Sequence, residues 1–180
     1  MTLCPSHIGR QVQRFAALSC MALGGALVLA GCDRHDEADL RAALDRWFYL
    51  GDPAYFASSA NCTAAMYKAR TYDVKSALRT ENSVEGAIYG YKQSGTFALH
   101  RAGISPDQAF IDAMNADRKL GILIQAAGLE GKSCMDETVT SAFHYALSNP
   151  EGVIVYDGDL GGLALLDPRT RLVIFASGSR

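Results

Sequence analysis

Few side chains of this chain suit acid, base or nucleophilic chemistry, and their spacing limits the reactions open to it. Its four histidines, His7, His35, His100 and His144, carry the residue type that exchanges a proton near neutral pH. His144 shares a helical face with Glu137 and Thr140, opposite an apolar stripe, which describes a solvent-facing side chain better than a catalytic base. His100 closes a strand-like run beside Arg101, where it could line a cleft. His35 falls in a polar stretch and is read as solvated. No Gly-x-Ser-x-Gly turn presents a nucleophilic serine, and a triad built from distant positions leaves no mark in sequence order.

Asp157-Gly158-Asp159-Leu160-Gly161-Gly162 invites comparison with a calcium loop. Aspartate at positions one and three fits, but Gly161 replaces the next ligand and Pro168 stands where the bidentate glutamate belongs. An acidic hairpin turn is the expectation. The same glycines lack the Gly-Lys-Ser/Thr that completes a phosphate loop. Trp47-Phe48-Tyr49 with Tyr55-Phe56 could form a ligand patch, although aromatics at helical spacing are expected in a core. No catalytic residue, cofactor or metal ligand is therefore assigned.

The N-terminus carries a different kind of signal. Arg10 and Arg14 are the only charges before Asp33, and an uncharged run over residues 15–30 follows them. A bilayer-spanning helix needs about 20 apolar residues, so this run is short for one. A basic start, a short apolar stretch and small residues describe a secretory signal. The run ends in Leu29-Ala30-Gly31-Cys32, which resembles the lipobox of bacterial lipoprotein precursors. The resemblance implies removal of residues 1–31, diacylglycerol on the Cys32 sulfur and acylation of the new amino terminus. Several acyl chains on one residue anchor firmly, where one alone binds only marginally. The implied localisation is the bacterial cell envelope, lipid-anchored and facing the periplasm. Asp33 resembles the inner-membrane retention signal of enteric bacteria, which leans the placement to that membrane.

Export also sorts the cysteines. Cys4 and Cys20 leave with the signal and Cys32 carries lipid, so Cys62 and Cys134 remain in an oxidising compartment. A leftover pair in an exported domain is expected to form a disulfide. The competing reading makes Cys134 a reactive thiol, because Ser133 looks like a helix start whose dipole would favour the thiolate. No Cys-x-x-Cys and no metal-type Cys/His spacing is present.

The elements that must position these residues alternate in type. After a tether over residues 32–38, a globular domain is expected over residues 39–180. Leu40, Ala43, Leu44, Trp47 and Phe48 recur at helical spacing, with Leu44 and Trp47 buried and Gly51 as the stop. Residues 55–59 and 63–70 could pair as strands around Ala60-Asn61, and residues 72–93 read as two helical pieces broken near Asn82-Ser83. Residues 96–100 read as a strand with Phe97 and Leu99 inward. Ser105-Pro106-Asp107-Gln108 has the chemistry of a helix start with a capping box, and Asp117 can open another helix that Gly128 ends. A last helix is expected from Ser133, with Met135, Val139, Ala142, Phe143, Ala146 and Leu147 along one face up to Asn149-Pro150. Three apolar runs, 153–156, 163–166 and 172–175, are separated by Asp157-Gly158-Asp159 and Asp167-Pro168-Arg169, the pattern of an antiparallel meander. The expected class is a single small α+β domain, with several helices packed on an antiparallel sheet.

Composition narrows the function. Without Arg10 and Arg14, the 17 Lys and Arg fall to 15 against 19 Asp and Glu, a net charge of −4. These charges are scattered, with no basic stripe for nucleic acid or an anionic membrane. The sparse acid/base inventory favours a non-catalytic envelope protein that binds a protein partner and reaches the membrane only through Cys32. The alternatives are a small periplasmic hydrolase using His100 or His144, and a binder of a small apolar or cell-wall ligand.

Overall fold

The turn chemistry around the two interior aspartates organises the C-terminal half. In the computed structural model, which describes residues 34–179, Asp157 and Asp167 each end a strand and fold their carboxylates back onto the following amides. Asp157 Oδ1 accepts from the amides of Asp159 and Leu160, at 2.9 and 3.2 Å, and Asp167 Oδ1 accepts from that of Arg169, at 3.0 Å. These turns join β5 (Val153–Asp157), β6 (Gly162–Asp167) and β7 (Leu172–Gly178) into the expected antiparallel meander.

The meander is the middle of a seven-stranded sheet ordered β1-β2-β7-β6-β5-β4-β3. β1 (Leu50–Ser58) and β2 (Cys62–Ala69) form the hairpin expected around Ala60-Asn61, with irregular register beside Pro53. β2 then pairs along β7, from Cys62↔Gly178 to Lys68↔Leu172. At the other edge, β4 (Thr96–Leu99) is antiparallel to β5, and a two-residue β3 (Thr80–Glu81) lies parallel to β4. The result is one α+β domain of five helices on a mostly antiparallel sheet.

Each face of the sheet has its own core. One carries Met66, Phe97, Leu99, Ile154, Tyr156, Leu163, Leu165 and Ile174 beneath α2 (Val84–Ser94), α3 (Pro106–Ala116), α4 (Arg118–Gly131) and α5 (Glu137–Ser148). The other carries Tyr67, Val155, Leu166, Val173 and Phe175 beneath α1 (Glu37–Asp45), whose Leu40 and Leu44 are fully covered. Strands covered on both sides read as unbroken apolar runs, as these do.

Several boundaries differ from the sequence expectations, each for a local reason. α1 stops at Asp45, and Gly51 lies inside β1, where a Cβ would come within 3.1 Å of Lys68. Trp47 is half-buried while Phe48 beside it is fully buried. Residues 70–79 are not helical. Two of their amides go to distant carbonyls, Arg70 to Tyr49 O and Lys75 to Trp47 O, and Leu78 N closes a local turn on Lys75 O, while Val74 and Leu78 pack on the α1-side core. Those two are four residues apart, a helical spacing in a segment that tertiary contacts keep irregular. α4 runs through Gly128 to Gly131 and tightens into a 3-10 turn, Lys132–Cys134. α5 is capped by Asp136, whose Oδ1 takes the Val139 amide at 2.8 Å, and not by Ser133.

The start of the chain also differs. Arg34 and His35 are docked on the domain: the amide of Arg34 donates to Ser59 O at 3.0 Å and that of His35 to Ser58 Oγ at 3.1 Å. The His35 ring meets Thr63 Oγ1 at 3.0 Å and stands edge-on to Phe175, so it is part of the fold and not solvated. The expected signal segment, Cys32 and Asp33 lie outside the described residues.

Candidate functional site

The cysteine pair comes together as expected. Cys62 begins β2 and Cys134 ends the 3-10 turn, with the sulfurs 1.99 Å apart and the Cα atoms 5.8 Å apart, a disulfide distance. The reactive-thiol reading loses its basis, because Cys134 does not start a helix. The Tyr55 hydroxyl donates to Cys134 O at 2.7 Å, tying the same turn to β1 without using sulfur.

The histidines are not brought together. His100 follows β4 and its Nδ1 lies 3.3 Å from Gly152 O. His144 projects from α5, exposed, with Nε2 3.3 Å from Lys132 Nζ. Ser148, one turn further along α5, donates its hydroxyl to Tyr145 O at 2.9 Å.

The acidic turn is structural. Besides its amide partners, Asp157 holds α1 to the sheet: its Oδ2 accepts from Trp47 Nε1 at 3.3 Å and pairs with Arg46 at 3.4 Å. Asp157 is 3 % exposed and its lone pairs are engaged within the protein, as an acidic hairpin turn requires. Among the described residues no group of three or more His, Cys, Asp or Glu could hold a metal ion. The aromatic cluster is divided by the sheet, with Phe48 and Phe56 on the α1 side and Tyr55 on the other.

A recess that sequence reading did not find lies on the helical layer. α3 and α4 are pinned together at Gly121, where a Cβ would come 2.5 Å from Met114 Cα. Beyond that point they and α5 enclose a groove of about 470 Å³. Ile124, Phe143 and Leu163 form its floor, Phe110 and Met114 one wall, and its polar lining is Asp107, Gln125, Lys132, His144 and Ser148. Gly128 faces the groove with ordinary clearance to Phe143 and Leu163, so a larger residue there would fill it. Ile111 and Leu129, both on the lining, are 49 % and 65 % exposed. The only hint in the sequence is surplus: α3 and α4 carry more large apolar side chains than one buried stripe needs.

The fixed charges near this layer are at its edges. Asp112 is held below the usual carboxylate range by hydrogen bonds from Arg101 and then Gln108. Asp117 is lowered likewise, by the Leu120 amide it caps and by Lys92. Both are spent on the frame of α3 and α4, which leaves the groove floor apolar.

The chain matches no protein-family model, no curated protein and no solved structure. The functional reading rests on the groove and on the N-terminal motif.

Proposed function

We propose that this chain is a lipid-anchored protein of the bacterial cell envelope, exported and cut before Cys32, whose domain binds a protein partner without catalysis of its own. The groove between α3, α4 and α5 is the binding surface. One observation carries this reading: Ile111 and Leu129 stay largely exposed at the lip of a recess whose floor is apolar. Large apolar side chains left in water around a concavity mark interaction surfaces. A partner's amphipathic helix, or a pair of its apolar side chains, could fill such a groove while Asp107 and Lys132 in the lining set its direction. Asp33 supports the inner membrane as the site of anchoring, and among the described residues no helix is long and apolar enough to cross a membrane.

The test is photo-cross-linking in cells that make the full precursor, with the cross-linking residue at Leu129 and, as control, at exposed Glu85 on α2. A discrete adduct at Leu129 alone, lost when Met114→Lys charges the groove wall, is the expected result. Equal labelling at both positions, or no adduct at Leu129, overturns the assignment.

The groove's size favours a second reading. A volume of about 470 Å³ falls within the roughly 300–1,000 Å³ of small-molecule sites. Native mass spectrometry of the protein taken from membranes separates the two, since a retained small ligand adds a fixed mass with no partner chain.

A further inference from the structure

We infer that the domain rests on the membrane by one defined end, the end formed by the β1–β2 hairpin tip and the 3-10 turn beside it. This inference depends on the lipid anchor proposed above and adds an orientation to it.

The argument is one of chain length. Cys32 is two residues from Arg34 in the sequence. Two extended residues reach at most about 7 Å. Diacylglycerol on Cys32 would hold that residue at the base of the headgroup layer, which is about 5–7 Å deep on each side of a bilayer. The available reach is thus no more than about one headgroup layer.

Arg34 has no further slack to give. Its amide is bonded to Ser59 O at 3.0 Å and its Nε to Ser177 Oγ at 3.1 Å, and His35 is fixed to Ser58 and Thr63. Whatever lies beside Arg34 on the folded domain is therefore held at headgroup level. That neighbourhood is the exposed tip Ser59-Ala60-Asn61 and, through Ser59 Oγ at 3.6 Å from Cys134 Sγ, the turn carrying Lys132 and Ser133.

The chemistry of this end suits the position. The tip is small, polar and uncharged, so entering a hydrated headgroup layer buries no unpaired charge. Both signs of charge lie near this end, Lys132 in the 3-10 turn and Asp159 in the β5–β6 turn at the same end of the sheet. With both signs present, the short tether and not net charge fixes the orientation. The opposite end, at the β6–β7 turn with Arg169, lies the length of β7 away. Seven strand residues span about 23 Å, several headgroup layers.

The experiment uses the full mature protein, extracted from membranes and reconstituted into phosphatidylethanolamine and phosphatidylglycerol vesicles that carry a headgroup-nitroxide lipid. Tryptophan is introduced by Asn61→Trp in one sample and Arg169→Trp in another, with Trp47 common to both as the baseline. Fluorescence of the Asn61→Trp protein should be quenched severalfold more than that of Arg169→Trp. A flexible ten-residue Gly/Ser insertion between Asp33 and Arg34 should abolish that difference while the protein still floats with the vesicles. Mass spectrometry of the N-terminal peptide reads the lipid on Cys32 separately. A lipidated, floating protein with equal quenching at both positions overturns the orientation and leaves the anchor standing. A Cys32 without lipid, in a protein that does not float, overturns both.

Discussion

Breaking the Cys62–Cys134 bridge is the perturbation whose size follows most directly from the fold. The two residues are 72 apart in sequence, and the loop between them holds the three helices α2, α3 and α4 and the three strands β2, β3 and β4. In the chain-entropy treatment, closing a loop of that length removes about 15 cal/mol/K from the unfolded ensemble, or about 4 kcal/mol at 25 °C. Domains of this size are stable by about 5–15 kcal/mol, so the unbridged protein should remain folded but lose a large share of its margin. At about 2–4 °C per kcal/mol, the Cys62→Ala/Cys134→Ala protein should melt about 10–15 °C below the parent. Part of the local structure should survive, because the Tyr55 hydroxyl bond to Cys134 O does not involve sulfur. The assay is urea unfolding of parent and double variant, each with and without reductant. Reductant should bring the parent down to the variant and leave the variant unchanged. A parent that titrates with two free thiols, or one that loses less than about 1 kcal/mol on reduction, would refute the reasoning.

Three further outcomes follow from single groups. Tyr67 is fully buried with its hydroxyl unpartnered, and burial, then nearby Glu37, pushes its pKa up to about 12, partly opposed by Arg41. Its contribution to stability is complete below pH 10 and should fall by about 2–3 kcal/mol as pH rises towards 12, because the unfolded phenol ionises first. Tyr67→Phe should flatten that slope in urea unfolding while matching or exceeding the parent at neutral pH. Asp136→Ala should cost about 1 kcal/mol by removing the α5 cap, whereas Ser133→Ala should stay within about 0.5 kcal/mol, both read by thermal melting. Gly121→Ala places a methyl carbon 2.5 Å from Met114 Cα, a backbone atom that does not yield as a side chain would. It should cost about 1–3 kcal/mol and reduce cross-linking at Leu129 by prising α3 from α4.

What was legible in the sequence was set by short-range chemistry. Ser105, Asp117 and Ser83 each cap the helix that follows them, and a cap acts within three residues. The meander was readable because Asp157 and Asp167 fold onto amides two or three residues on. What was misread depended on distant partners. Val74 and Leu78 have helical spacing, yet their segment is an irregular loop whose Arg70 and Lys75 amides bond to the distant Tyr49 O and Trp47 O. His35 looked like tether because Thr63 and Phe175, which receive it, are far along the chain. Ser133 and Asp136 both suit a cap, but Ser133 lies inside the 3-10 turn Lys132–Cys134, and the extended Met135 separates that turn from the cap at Asp136.

The candidate site escaped for a stronger reason than range. A groove is a difference between how much apolar surface the helices expose and how much their neighbours cover, and neither quantity belongs to one segment. Ile111 and Leu129 satisfy the helical period of α3 and α4 as well as any core residue does. They stay exposed because Gly121 draws the two helices together at one end, while α5 meets them with Phe143 in the floor and His144 in the polar lining. A larger residue at the position of Gly121 would push against Met114, which itself lines the recess. The placement of a glycine thus shapes the groove more than the identity of the apolar residues that line it. The same holds at Gly128, which presents no side chain into the space. If the groove is where a partner docks, its specificity lies in these two small residues and the charged lining residues, and exchanges among its aliphatic lining should be tolerated.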